Sequence, residues 1–405
     1  MEFKAKIERL QQKSRETYRH DPWELPVIYV QPGELSAAEF SRLWRNGTVV
    51  VVRGLLGALD AEIWKPRWWI KNFGYEMVSI LDSAQAEQSV GEWPLRDFYR
   101  LFDGADNYSE LFNDSSMEKD EWETHRRCLR DGVMKLKDWP PAEDFQARLP
   151  DHFQRFMDAL PFSEYTHREG KFNLVNRLPA EFVPPDLGPK MYCAYGSSDS
   201  EGGVGTTNLH CDMADAVNIM AYASKDFLRK NGIELAAAVW DIYPPEALKN
   251  LREYIYSLDG IAGSLDPSYG DAIHNQATFL TRPHRKQLYD AYGDAGGRCY
   301  RVYQNPGDAV FVPAGCAHQV CNYASAVKVA MDFVSPERVD QCKQMTDEFR
   351  QLQPSHQRNK DLLQLNNILW WTVAGRQQHK PAAASTSKAV RGKGKSKSKQ
   401  SINGD

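Results

Sequence analysis

Short β-rich runs, separated by turns rich in Gly, Pro and Asn, fill the chain from about residue 189. They constrain its fold more than any other feature. The runs share a content of β-branched and aromatic residues, and they are Lys190–Tyr195, Val217–Tyr222, Ala236–Tyr243, Tyr300–Gln304, Ala309–Pro313 and Val327–Phe333. Many short strands of this kind are typical of a sandwich or jelly roll. We therefore expect a mainly β fold.

Helical patterns surround these runs. Ser36–Glu39 is a capping box that predicts a short amphipathic helix, and Thr48–Val52 is a β-branched run that predicts a buried strand. Pro244–Leu258 predicts a helix with Pro at its start, and two further helices are expected at Glu337–Gln353 and Asp361–Thr372. The β core is thus expected to carry a shell of helices.

The change in pattern along the chain also predicts its organisation. The expected parts are an N-terminal arm or helix at 1–30, a helical and mixed part of the catalytic unit at 31–188, a jelly-roll core at 189–336 with a helical insertion at 229–298, C-terminal helices at 337–376, and a disordered basic tail at 377–405.

Composition excludes several classes of protein. The 405 residues carry a net charge of −4, so the chain as a whole is not a basic nucleic-acid binder. No apolar run approaches the roughly 20 residues that cross a bilayer, and the N-terminus lacks the apolar core of a signal peptide. The seven Cys are odd in number and scattered in spacing, which indicates thiols of a reducing compartment.

The central chemical signal is the His210-Cys211-Asp212 tripeptide. On a strand, side chains alternate, so His210 and Asp212 share one face while Cys211 points to the other. A second His follows at the end of Gly307–His318, a turn, buried strand and Pro turn arranged as in a cupin-like barrel. Two imidazoles and one carboxylate form a facial triad with open positions for oxygen chemistry. His210, Asp212 and His318 are therefore the predicted metal ligands.

A site of this type needs an anchor for an anionic co-substrate, because a buried carboxylate must be paired with a cation or a hydroxyl. Thr207 is close to the metal motif, and Asn218 and Tyr192 lie on nearby strands. Lys225 is the first candidate for the cation, and Lys328, on the strand after His318, competes with it. For each of these alone, a residue on the sheet surface is an equally good interpretation.

At these residues the sequence resembles the Jumonji-C family, and in particular its branch of histone demethylases that act on lysine nine of histone three. The resemblance runs from about residue 40 to 374. Its long matching stretches include Trp64–Pro66, Lys135–Pro141, Pro185–Tyr192, Gly205–His210 and Phe333–Glu337.

The resemblance implies a double-stranded β-helix with a helical shell, Fe(II) held by His210, Asp212 and His318, and 2-oxoglutarate and O₂ as co-substrates. The residues that it assigns to 2-oxoglutarate share a polar side chain near the metal motif: Thr207, Asn218 and Lys225.

The implied activity is removal of methyl groups from mono- or dimethylated lysine nine, by N-methyl hydroxylation and release of formaldehyde. The implied partner is a histone tail or nucleosome, in the nucleus. Two alternatives stay open: a protein or small-molecule hydroxylase, and a catalytically silent chromatin-binding scaffold. Acidic and aromatic residues expected in the substrate groove are Asp259, Asp266, Tyr269 and Asp271. The basic run 391–399 predicts a nuclear-import or nucleic-acid-contacting tail, or equally a solubilising tail without a partner.

Overall fold

A computed structural model describes the protein at residues 2–85, 87–102, 132–141, 143–224, 235–258, 270–352 and 360–374. The strands in this part of the chain are β1 Glu24–Leu25, β2 Ile28–Val30, β3 Val50–Val52, β4 Met77–Asp82, β5 Gln88–Pro94, β6 Met134–Trp139, β7 Lys190–Ala194, β8 Thr207–His210, β9 Asp215–Ala223, β10 Ala238–Tyr243, β11 Cys299–Gln304, β12 Ala309–Val312, β13 Ala317–Asn322 and β14 Ala326–Phe333.

The strands form two sheets. One has five strands in the order β1-β11-β10-β13-β8, and the other has nine in the order β2-β3-β12-β9-β14-β7-β6-β4-β5. Apolar side chains of both sheets share one buried cluster, in which Val310 and Val312 pack with Trp240, Ile242 and Val320. The sheets therefore lie face to face, and the predicted jelly roll is confirmed.

The helices of the described residues are α1 Glu2–Tyr18, α2 Ala37–Arg45, α3 Leu56–Leu59, α4 Pro66–Phe73, α5 Leu95–Phe102, α6 Phe145–Arg148, α7 Pro150–Ala159, α8 Ser163–Thr166, α9 Leu248–Ser257, α10 Arg282–Tyr292, α11 Val339–Arg350 and α12 Leu365–Ala374. Helix α2 begins with the predicted capping box. The Ser36 side chain accepts a hydrogen bond from the Glu39 amide at 3.2 Å, and the Glu39 carboxylate accepts one from the Ser36 amide at 2.9 Å.

The helical shell covers the outer faces of both sheets. Phe40 and Trp44 of α2 are fully buried against Phe311 and Phe333 of the nine-stranded sheet. Helices α9, α10 and α11 join a second core cluster with Cys299 and other residues of the five-stranded sheet. Each sheet thus has an apolar outer face under helices, which leaves the inner faces free to form a site.

One predicted boundary needs correction. The range 229–298 was expected to be a helical insertion, but Ala238–Tyr243 is a central strand, paired on one side with β11 and on the other with β13. The six residues of this strand are all buried, since it lies in the middle of the sheet. The helical insertion therefore starts after Tyr243.

Two features complete the comparison with expectation. The six Cys in the described part of the chain are all buried and unbridged. Among the described residues, no helix combines the length and apolar character needed to cross a bilayer. The predicted tail at 377–405 and the acidic stretch near 104–130 lie outside the described residues.

Candidate metal centre and its cavity

His210, Asp212 and His318 come together between the sheets. His210 is the last residue of β8 and pairs in register with His318 on the antiparallel β13, while Asp212 lies two residues beyond β8. The nitrogen and oxygen atoms that these side chains offer all lie within 4.8 Å of one another. The Asp212 carboxylate is 3.8 Å from His210 Nε2 and 3.4 Å from His318 Nε2. The three residues predicted as a triad are therefore adjacent.

Backbone carbonyls fix the imidazole tautomers. His210 Nδ1 lies 2.8 Å from the Asn208 carbonyl, and His318 Nδ1 lies 3.2 Å from the Cys316 carbonyl. A carbonyl only accepts, so each Nδ1 must carry the proton and donate it. Each Nε2 then keeps a lone pair directed towards Asp212, which is the arrangement in which imidazoles bind metals.

The triad opens into a cavity of about 350 Å³ between the two sheets. Its walls come from β6, β7, β9, β13 and β14, and the polar side chains that line it are Glu87, Lys135, Lys137, Asp138, Lys190, Tyr192, Thr206, Thr207, His210, Asp212, Asn218, Gln276, His318, Asn322, Lys328 and Asp332. A cavity with this many charged groups is suited to a polar ligand rather than to an apolar one.

Four of the five predicted co-substrate residues line this cavity. Lys328 of β14 pairs in register with Tyr192 of β7, and two residues on, Ala330 pairs with Asn218 of β9. These side chains therefore share the inner face of the nine-stranded sheet. Thr207 reaches the cavity from β8, where the pairing with β13 is irregular. Lys225 lies outside the described residues, so its predicted role stays a prediction.

Lys328 is distinctive in its surroundings. The residue is 5% exposed, and its Nζ has no hydrogen-bond partner among the described residues. The ammonium lies 4.9 Å from the centre of the Trp240 ring, which itself stacks on His318 at 24°. Burial lowers the pKa of Lys328 to about 7. A buried ammonium without a carboxylate partner destabilises the fold. An anionic ligand in the cavity would supply the missing partner.

Lys135 was not predicted as a site residue, although the matching stretch Lys135–Pro141 signalled it. Its ammonium donates to Glu87 Oε1 at 2.7 Å and to Thr207 Oγ1 at 3.0 Å, so it holds the Thr207 hydroxyl in the cavity. Lys137 contacts the other oxygen of Glu87 at 2.8 Å. Burial would raise the pKa of Glu87, but attraction from the two lysines outweighs it and lowers the pKa to about 2.

An acidic end of the cavity was also missed. Asp332 of β14 lies 3.7 Å from Lys190, and Asp138 accepts a hydrogen bond from Tyr192. Burial raises the pKa of Asp332 despite Lys190, and repulsion from Asp212 adds to the shift. Asp138 has φ = 53°, an uncommon conformation for a residue other than glycine.

Of the four groove residues expected from sequence, the structure describes only Asp271. Asp259, Asp266 and Tyr269 lie outside the described residues. Asp271 does not line the cavity; its carboxylate accepts a hydrogen bond at 2.7 Å from Arg252, on the outer side of the five-stranded sheet. Asp271 therefore does not lie where the sequence predicted it.

Comparison with known proteins agrees with this geometry. Residues 231–333 match the family described as JmjC domain, hydroxylase. Lysine-specific demethylase 3A of Mus musculus is 38% identical over 359 residues, which are 82% of this chain and 26% of that protein. Lysine-specific demethylase 3 of Drosophila melanogaster is 34% identical over 82% of this chain and 40% of its own length. Lysine-specific demethylase JMJ26 of Arabidopsis thaliana is 31% identical over 89% and 44%. The chain thus spans less than half the length of these relatives.

Proposed function

Because the chain belongs to the JmjC family, we propose that it is an Fe(II)- and 2-oxoglutarate-dependent oxygenase in which His210, Asp212 and His318 hold the iron. The main observation in support is that the three ligand atoms lie within 4.8 Å of one another on the wall of a polar cavity. Two imidazoles with one carboxylate, and an open side, are the donor set of non-haem Fe(II) oxygenases. The residues present therefore fit this metal.

The cavity also fits 2-oxoglutarate. This co-substrate carries a distal carboxylate, and Lys328 supplies a buried ammonium that no described residue neutralises. Asn218 and Tyr192 stand beside Lys328 on the same face of the sheet, and Thr207 lines the same cavity. We infer that Lys328 is the cationic anchor, because a charge-assisted hydrogen bond to a carboxylate offsets its burial.

The proposed substrate is a methylated lysine of a histone tail. Mono- or dimethylated lysine nine of histone three is the first candidate. When bound, the iron would use O₂ and 2-oxoglutarate to hydroxylate an N-methyl carbon, and the hydroxymethylamine releases formaldehyde. The protein would bind and orient both reactants in the cavity between the sheets. The relatives that match 82% of this chain are named lysine-specific demethylases, and this similarity supports the substrate class.

The test is mass spectrometry of methylated histone-tail peptides incubated with the protein, Fe(II), ascorbate and 2-oxoglutarate. We expect loss of one methylene mass for each methyl group removed, with an equal amount of formaldehyde, and no change with Asp212→Ala. Succinate formation without any such loss would contradict the proposal. A gain of one oxygen mass on another protein would instead favour the hydroxylase alternative, and no turnover of 2-oxoglutarate at all would favour the silent scaffold.

We further propose that the protein acts in the nucleus, on nucleosomes. The basic run 391–399, which lies outside the described residues, suits contact with nucleic acid or an import receptor. Fluorescence microscopy of the full chain and of a chain ending at residue 380 tests this. Equal nuclear accumulation of the two would remove the tail from the proposal.

A further inference from the structure

The charges of the cavity are arranged along one strand. Lys328, Ala330 and Asp332 of β14 all line the cavity, because alternate residues of a strand share a face. The Cα atoms of Lys328 and Asp332 are four residue steps apart, which corresponds to roughly 13 Å along β14. Ala330, with its small side chain, leaves the space between them open.

The two ends face different parts of the metal centre. At one end, Lys328 packs on Trp240, whose ring stacks on His318. At the other end, Asp332 is close enough to Asp212 for the two carboxylates to repel each other. The triad of the facing sheet therefore lies between a cationic and an anionic end of one cavity.

The cationic end independently indicates that this cavity holds a ligand. Lys328 is more than nine-tenths buried and directs an unpaired ammonium into it. An anion bound there leaves the opposite end for the second reactant. At that end, Asp138 accepts a hydrogen bond from Tyr192, and Asp332 lies 3.7 Å from Lys190, which is partly exposed.

We propose that Asp332 and Asp138 bind the methylammonium group of the substrate and set its methylation state. This inference rests on the proposed function and adds the residues that recognise the methylated amine. A mono- or dimethylammonium keeps an N–H that donates to a carboxylate, and a hydrogen bond there turns its methyl groups away from the carboxylates. A trimethylammonium has no N–H, so it forfeits this contact. In the absence of substrate, Lys190 lies beside Asp332, so it competes with the substrate for this carboxylate.

The test measures binding to the full chain by fluorescence anisotropy, with Fe(II) and 2-oxoglutarate under argon so that no turnover occurs. The probes are labelled histone-tail peptides with dimethyllysine, trimethyllysine or norleucine at position nine. We expect Asp332→Asn and Asp138→Asn each to weaken binding of the dimethyllysine peptide about tenfold, which is equivalent to one charge-assisted contact. Binding of the norleucine peptide should change little. Lys190→Met should strengthen dimethyllysine binding.

Controls make the result decisive. Asp158→Asn removes an exposed carboxylate of α7 far from the cavity and should bind all three peptides as the wild type does. Asp332→Glu keeps the charge and should retain the preference for dimethyllysine over trimethyllysine, whereas Asp332→Asn should lose it. Equal weakening of the dimethyllysine and norleucine peptides, or no weakening of either, overturns the inference.

Different results refute the proposed function and the assignment of Asp332 and Asp138. Absence of demethylation by the wild-type protein refutes the proposed function, even if the peptides bind as expected. Normal demethylation together with unchanged peptide binding by Asp332→Asn and Asp138→Asn refutes the inference alone.

Discussion

Lys328→Met removes a buried ammonium that has no hydrogen-bond partner among the described residues. The difference between the ordinary lysine pKa of 10.5 and the value of about 7 in the fold corresponds to about 5 kcal/mol at 1.36 kcal/mol per pH unit. This is the upper bound of the cost of keeping the protonated side chain in the folded protein. Met fills a similar volume without a charge, so the variant should be more stable than the wild type in the absence of ligand.

The pH dependence identifies the cause. The pKa of Lys328 is lowered in the fold, so below pH 7 the folded and the unfolded chain are both protonated there and the full cost applies. Between pH 7 and 10.5 only the unfolded chain keeps this proton, so the stability of the wild type rises with pH. The stability advantage of Lys328→Met should therefore be largest near or below pH 7 and vanish near pH 10.5. Urea unfolding at several pH values measures it.

The same variant should lose its co-substrate. Truncating one partner of a buried charge pair costs about 2–5 kcal/mol, which is roughly 30-fold or more in the dissociation constant of 2-oxoglutarate. Isothermal titration with 2-oxoglutarate measures this loss. Lys249→Met is the matched control, because that side chain is 84% exposed and its removal should leave both stability and affinity unchanged. A variant that is destabilised at pH 7, or that binds 2-oxoglutarate normally, would refute the assignment of Lys328.

Three further changes test the rest of the site. Asp212→Ala should lower the affinity for Fe(II) by at least the roughly 10–100-fold that changes around metal ligands cost, with the fold retained in circular dichroism. Lys328→Ala should raise the 2-oxoglutarate concentration needed for half-maximal turnover more than Lys225→Ala does; the opposite ranking would restore the prediction made from sequence. Deletion of residues 381–405 should leave the melting temperature and peptide turnover unchanged, and a marked drop in melting temperature would show that this segment packs on the fold.

The sequence predicts those parts of the fold that follow from local patterns. The strand pattern of Val327–Phe333 and the capping box at Ser36 depend on nearest neighbours along the chain, and both are found in the structure. The clustering of His210, Asp212 and His318 was also predictable, because His210 and Asp212 lie two residues apart and His318 follows a recognisable turn. The helical range 229–298 was drawn too wide, because it overlapped the predicted β-rich run Ala236–Tyr243, in which the strand Ala238–Tyr243 is found.

The charged end groups of the cavity depend on pairing between distant segments, which no local pattern specifies. From the sequence, Lys328 was only a competitor of Lys225 for the cationic role, and Lys135 and Lys190 were not candidates. In the fold, Lys135 meets Glu87 from 48 residues away, and Lys190 meets Asp332 across the β7–β14 pair, but Lys328 faces only an aromatic ring among the described residues. A protein keeps a buried cation unpaired at a cost to stability. Lys328, which lacks a hydrogen-bond partner among the described residues, is therefore the lysine that we propose binds the co-substrate, and this distinction exists only after the chain has folded.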